Sequence, residues 1–212
     1  MKIKQVIRVL LLLVSFACLP AHAQTHNHAD GEDYLPIPHF GMADKENWLV
    51  DQAMKQGPVL APTYSTRNCV AFLHDLLNPV YSFSLAEKKR IYIKGSAQQA
   101  RKLLREGDEA TVSGVCRVLT DRGLASRVSP DSLQSGDIVQ YWYMSYCGDT
   151  LGHCGIIGSA SHDGGFRLLS SAYSHNGFGI KYVHPAMLIK VFAARPRKDK
   201  VTLQGMQAFA WE

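Results

Sequence analysis

Apolar residues recur along the chain with two different periods, and the change from one to the other divides it. From about residue 45 to 122 the spacing is helical. Val70, Leu73, Leu76 and Leu77 fall at i, i+3, i+6 and i+7 and make one stripe. They predict a helix that begins at Cys69, is capped by Asn68 and stops at Asn78-Pro79. Trp48, Val50, Ala53 and Met54 predict an earlier helix over Lys45 to Gln56, capped by Asp44, with Gly57 beyond its end and Pro58 to Thr63 extended. Three more patterns follow: Leu85 to Tyr92 behind Ser84, Ala97 to Glu106 between Ser96 and Gly107, and Gly114 to Arg122 between Ser113 and Gly123.

Beyond the turn Pro130 to Asp137 the residues become β-branched and aromatic. Ile138 to Tyr143, Gly152 to Gly158, Phe166 to Ala172, Gly179 to Val183 and Ile189 to Ala194 read as strands. His162-Asp163-Gly164-Gly165 is a hairpin turn and His184-Pro185 another. Helices first and strands after give an α+β class, with helices packed on an antiparallel meander of about five strands. No internal repeat or second domain boundary interrupts residues 44–212.

Composition fits one globular domain, since 46% of residues are hydrophobic and 19% charged. The first residues depart from that picture. Lys2, Lys4 and Arg8 precede the apolar run Val9 to Ala17, and Ala21-His22-Ala23 forms an A-x-A site. This predicts a signal peptide over 1–23 and a periplasmic or secreted protein. Ser15 to Cys18 also suggests a lipoprotein box, but Phe16 fits it poorly. No apolar run is long enough to span a bilayer. Residues 24–43 are polar and read as a flexible leader; His26 and His28 lack a fixed third ligand, so no metal is implied, nor any other cofactor.

Removing residues 1–23 removes three basic side chains and no acid, which takes the net charge from +5 to +2. That balance does not call for a nucleic-acid partner. Lys88, Lys89, Arg90, Lys94, Arg101, Lys102 and Arg105 make the region of these two helices basic, either as a solvated face or as one that meets an anionic polymer.

The candidate chemistry lies at the joins between elements. Cys69 opens its helix, where unsatisfied N–H groups and the helix dipole favour a thiolate. His153 opens a strand between Gly152 and Gly155, with room for a substrate backbone. Together they make a nucleophile and its general base. His74, inside the helix, reads as structural, and Trp142 and Tyr143 as core or cleft wall.

The order of these features resembles the papain-like cell-wall amidases of the NlpC and CHAP type. Their pattern is a cysteine at a helix start, then a Gly-Asp-hydrophobic strand, then a Gly-His-hydrophobic strand. Here these are Asn68-Cys69-Val70, Gly136-Asp137-Ile138 and Gly152-His153-Cys154-Gly155, within a match running from about Tyr64 to Arg197. Asn68-Cys69-Val70 departs from the family's Asp-Cys-Ser. The resemblance implies a papain-like fold, Cys69 as nucleophile, His153 as base, and oxyanion donors at the Cys69 N–H and Tyr64. It implies peptidoglycan stem peptides as substrate. The family's third member, which orients the base, would stand near Leu168 to Ser171. Ser170 and Ser171 occupy that place; His175 is chemically the better candidate, with Asn176 beside it. Two other functions remain open: a thiol acyl-hydrolase or transferase on a protein or lipid, and an inactive adaptor or inhibitor on the same fold.

The remaining cysteines lie in a compartment where disulfides persist. Cys147 and Cys154 flank the connection between two strands and are expected to pair; the alternatives are that Cys116 pairs with one of them or that all stay reduced. Strand alternation would point Cys154 away from His153.

Overall fold

The computed structural model describes residues 47–93, 95–145 and 148–201, and among these it holds six α-helices followed by a six-stranded antiparallel sheet. The expected signal peptide and leader, Asp44, Lys94 and Cys147 lie outside the described residues.

Helix α1 (Trp48–Leu60) is capped by Asn47, whose side chain accepts from the Leu49 N–H at 3.2 Å. It runs through Gly57 and Pro58 rather than ending before them. Tertiary packing overrides the stop signals. A Cβ on Gly57 would lie 2.5 Å from the Phe178 ring, so glycine serves here for close approach rather than as a terminator. Helix α2 (Cys69–Tyr81) is capped by Asn68, which accepts from the Ala71 N–H at 3.0 Å. It too passes its expected end at Asn78-Pro79. Val80 and Tyr81 are buried there, and the turn closes only at Ser82, in the left-handed region with φ 48°. Burying those two side chains outweighs the one helical donor that Pro79 removes.

Helices α3 (Leu85–Ile91), α4 (Ala97–Glu106) and α6 (Gly114–Asp121) lie where the spacing puts them. Ser84 and Glu87 close a capping box on α3, and Gly107 ends α4 with φ 74°. The four-residue α5 (Glu109–Val112) is too short to show a period.

The sheet consists of β1 (Ala125–Val128), β2 (Ile138–Met144), β3 (Thr150–Ala160), β4 (Phe166–Ala172), β5 (Gly177–Val183) and β6 (Leu188–Pro196), in the order β1-β6-β2-β3-β4-β5. Strands β2 to β5 form the expected meander. Two features correct the five-strand expectation. Strand β6 returns across the sheet to pair with β2, and β1, a short Ala-Ser-Arg-Val segment with no apolar alternation, adds an edge beyond it. On one face Ile138, Trp142, Cys154, Ile156 and Leu169 join Phe72, Leu73, Leu76 and Leu77 of α2 in the main core. On the other face Val139, Tyr141, Ile157, Phe166, Leu168 and Val183 form a second cluster.

The Gly136-Asp137 signature does structural work at the start of β2. Gly136 takes φ +85° in the turn. Asp137 is 1% exposed, and its carboxylate accepts from Arg195 Nε and Nη2 on β6 at 2.8 and 2.9 Å and from the Gln134 N–H at 2.8 Å. The pair locks β6 against β2 and holds the turn. Asp137→Ala is expected to cost about 1–3 kcal/mol in urea unfolding, because it leaves the Gln134 N–H without its acceptor and removes the charged bonds to Arg195. A loss below about 0.5 kcal/mol, typical of a surface pair, would contradict this role.

Candidate active site

The site forms where two strands part. The β3–β4 ladder starts at Ile156↔Leu169 and runs away from the cleft, while Thr150 to Gly155 are paired with β2. Beyond that point Ser170, Ser171 and Ala172 of β4 pair with β5. Two buried serines bind the split together. Ser170 Oγ donates to the Cys154 carbonyl at 2.6 Å, and Ser171 Oγ donates to the Arg67 carbonyl just before α2. The N-terminus of α2 is thereby held against the open edge of β3.

Alternation along β3 sends His153 to the side of Tyr141 and Cys154 to the side of the helices. At the unpaired edge Cys69 lines the same cleft as His153. Its thiol is held well below the ordinary value for a cysteine. Hydrogen bonding with the Cys154 thiol is the largest cause, burial opposes it, and the charge and hydrogen bonding of the His153 ring reinforce it. Cys154 is pushed well above its ordinary value by the same hydrogen bond and by its own burial. The dipole of α2, with no acidic residue in its first turn, favours Cys69 as the thiol that ionises. Cys154 then stays protonated.

Tyrosines surround this sulfur. Tyr64 is half-buried, and its phenol is raised first by burial and then by the charge of Cys69. Tyr143 is raised by the same two causes. Tyr141 is raised strongly by burial and then by the charges of Tyr143 and Cys69. Its ring stands edge-on to His153, with centroids 5.7 Å apart and planes at 82°. Cys69 and His153 open onto a cleft of about 210 Å³ between α4 and the ends of β2 and β3. Its walls include Ile93, Ala97, Ala100, Leu103 and Trp142, with Gln140, Thr150 and Gly152 at the strand side. A Cβ at Gly152 would come within 2.9 Å of the Trp142 ring, so glycine is what keeps this wall open. The Trp142 indole donates to the Val112 carbonyl at 2.9 Å and is fixed as wall.

The structure therefore brings Cys69 and His153 to one cleft, while Tyr64, whose ring packs on Tyr173, does not line it. It does not bring His175 to the cleft. His175 lies on the turn after β4, against Gly179 of β5, two strands from β3. Asn176 closes that turn in the left-handed region with φ 49°. Ser170 and Ser171 are spent on backbone carbonyls. Among the described residues no carboxylate or amide hydrogen-bonds the His153 ring, and its Nε2 is buried without a hydrogen-bond partner. Packing on Tyr141 is what orients it. The expected Cys147–Cys154 disulfide involves a residue outside the described ones; Cys154 itself carries a free thiol, 1% exposed. Cys154 does point away from His153, as alternation requires, and into the core beneath the helices. His74 is structural, as its position suggests, with Nδ1 3.0 Å from Asp75 Oδ1 and its ring against Phe83 and Tyr92.

Sequence reasoning missed Tyr141, Gln140 and Thr150, and it gave Cys154 only a disulfide role. The pairing of Tyr141 with His153 follows only from the β2–β3 register. Comparison with family models, curated proteins and solved structures returns no match. The functional reading accordingly rests on the residues themselves.

A depressed Cys69 pKa has a direct consequence. Reactivity is present above that pKa and is lost as pH falls through it. Iodoacetamide is expected to alkylate Cys69 with an apparent pKa below the ~8.5 of a free thiol. Ser171→Ala, which frees the Arg67 carbonyl, is expected to cost about 1 kcal/mol of stability and to slow this alkylation. An apparent pKa at or above that of a free thiol would contradict the arrangement.

Proposed function

We propose that the protein is an exported cysteine hydrolase that cuts amide bonds in peptidoglycan stem peptides. The observation that carries the reaction class is Cys69, a buried thiol at a helix N-terminus with a depressed pKa, in contact with His153 at the mouth of a cleft. The Cys69 thiolate attacks the scissile carbonyl and forms the C–S bond. The oxyanion that develops is met by the Cys69 N–H and the Tyr64 hydroxyl. The His153 imidazolium gives its proton to the leaving amine as the C–N bond breaks. The neutral ring then takes a proton from water, which attacks the thioester and releases the acid and the thiol.

The substrate class is supported by the resemblance to the cell-wall amidases and by the signal-peptide pattern. The described side chains that line the cleft carry no formal charge apart from the thiol and imidazole of the site. Such a slot suits a short, uncharged stretch of peptide on the acyl side. Tyr141 takes the place of a polar third residue: a T-shaped ring contact restrains an imidazole without adding a buried charge.

The test is digestion of purified sacculi with analysis of the released fragments. Wild-type protein is expected to release peptides cut at one amide position. Cys69→Ala should release none while unfolding at the same urea concentration as wild type. His153→Ala should lose about 10²–10⁴-fold in rate. Tyr141→Leu, which removes the ring edge against His153, should lose a smaller factor, roughly tenfold. Intact sacculi after treatment with protein whose Cys69 is fully alkylatable would turn the reading to another acyl substrate. An inert Cys69 would indicate an adaptor or inhibitor.

A further inference from the structure

Thr150 takes no step in the acyl transfer. It opens β3, is 2% exposed and lines the cleft, yet its Oγ1 is buried without a hydrogen-bond partner. We propose that this hydroxyl sets the specificity of the site: it hydrogen-bonds a backbone amide of a neutral peptide, two or three residues from the scissile carbonyl, so that Cys69 acts on a peptide chain rather than on a single acyl residue. This deepens the peptide-hydrolase reading and rests on it in one respect, that Cys69 is the nucleophile of this cleft.

A buried hydroxyl without a partner forfeits the hydrogen bonds it had in water, and folded proteins rarely leave one so. The other buried donors near the site are all satisfied. Ser170 and Ser171 donate to the Cys154 and Arg67 carbonyls, and the Trp142 indole donates to the Val112 carbonyl. Among the described residues that line the cleft, the other buried polar atom without a partner is His153 Nε2, which belongs to the catalytic pair. The bare hydroxyl of Thr150 thus stands where a substrate would supply its partner.

Strand register places the group. Thr150, Gly152 and Cys154 alternate onto the helix side of β3, opposite Met144, Trp142 and Gln140 of β2. Gly152 adds no side chain between Thr150 and the catalytic end, so the floor there is backbone and the fixed Trp142 ring. Thr150 lies three residues along β3 from His153, about 10 Å, and an extended peptide covers that distance in about three residues. The cleft, at about 210 Å³, is smaller than the ~300–1,000 Å³ of sites for drug-sized ligands and takes a short segment with small side chains. Its described lining side chains beyond Cys69 and His153 bear no formal charge, so recognition falls to hydrogen bonds. A threonine hydroxyl can donate to a peptide carbonyl or accept from a peptide N–H. Gln140, whose Nε2 is 3.5 Å from the Tyr141 carbonyl, offers a second polar point nearer the catalytic end, across from Cys154.

The test needs only a reactive Cys69. Acetylated chloromethyl ketones built on one, two and three alanines, in L and in D form, alkylate a cysteine as chloride leaves. Their rates on Cys69 of the full chain are measured by intact mass and peptide mapping. Chloroacetone and iodoacetamide, too short to reach Thr150, report the reactivity of the thiol itself in each variant. In wild type the rate is expected to rise roughly tenfold as the second or third amide is added. Thr150→Val, which exchanges the hydroxyl for a methyl of similar shape, should lose that rise, and Thr150→Ser should keep it. Because the hydroxyl has no partner in the free protein, Thr150→Val should unfold at the same or a higher urea concentration. A wild-type rate that does not depend on reagent length, or a Thr150→Val protein that keeps the rise, would overturn the proposal. So would a Thr150→Val protein that is destabilised or does not fold, since the hydroxyl would then be structural. A Cys69 inert to chloroacetone and iodoacetamide alike would overturn the nucleophile reading as well, whereas undigested sacculi would point to another peptide and leave the Thr150 contact standing.

Discussion

The site depends on a helix N-terminus lodged at the edge of β3, where that strand leaves its ladder with β4. A fully paired β3 would turn one face of residues to the helices and hide the other. His153 and Cys154, adjacent in sequence and opposite in direction, could not then both reach one side chain. Parting the strands exposes the strand's edge, and Cys69 enters there. The unpaired backbone is not left bare: Ser170 takes the Cys154 carbonyl and Ser171 the Arg67 carbonyl. Buried carbonyls need such partners, and each hydrogen bond contributes about 1 kcal/mol while avoiding a larger desolvation cost.

Two opposing effects act on the Cys69 thiol. Burial disfavours the thiolate, by several pKa units for a fully buried group. The neighbouring Cys154 thiol, the His153 ring and the α2 dipole oppose it, and the balance lowers the Cys69 pKa. The same burial without those partners leaves Cys116 protonated. Environment, not exposure, is what sets these two buried cysteines of one core apart.

Much of this was legible in the sequence because it depends on local chemistry. Capping residues located α2, α3 and α4, and the placement of Cys69 at a helix start needed only Asn68 and an apolar stripe. Stop signals were less reliable. Gly57 and Pro79 read as terminators, yet Phe178 packs on the first, and burial of Val80 and Tyr81 carries the helix past the second. Strand β1 gave no alternation and was missed. Long-range register was invisible. Nothing in the sequence places Tyr141 against His153 or turns Ser170 and Ser171 to backbone carbonyls. His175 has suitable chemistry, but the turn closed by Asn176 carries it to β5 rather than to the cleft.

The central claim, that Cys69 is a nucleophile served by His153, is tested most directly by trapping the intermediate. Protein mixed with soluble stem-peptide fragments of peptidoglycan would be quenched in acid within the first turnover and its intact mass measured. The account predicts a covalent acyl adduct on Cys69 that decays as product forms and is absent from Cys69→Ala. Product formed at the full rate with no adduct at any time, or with the adduct on another residue, would contradict it.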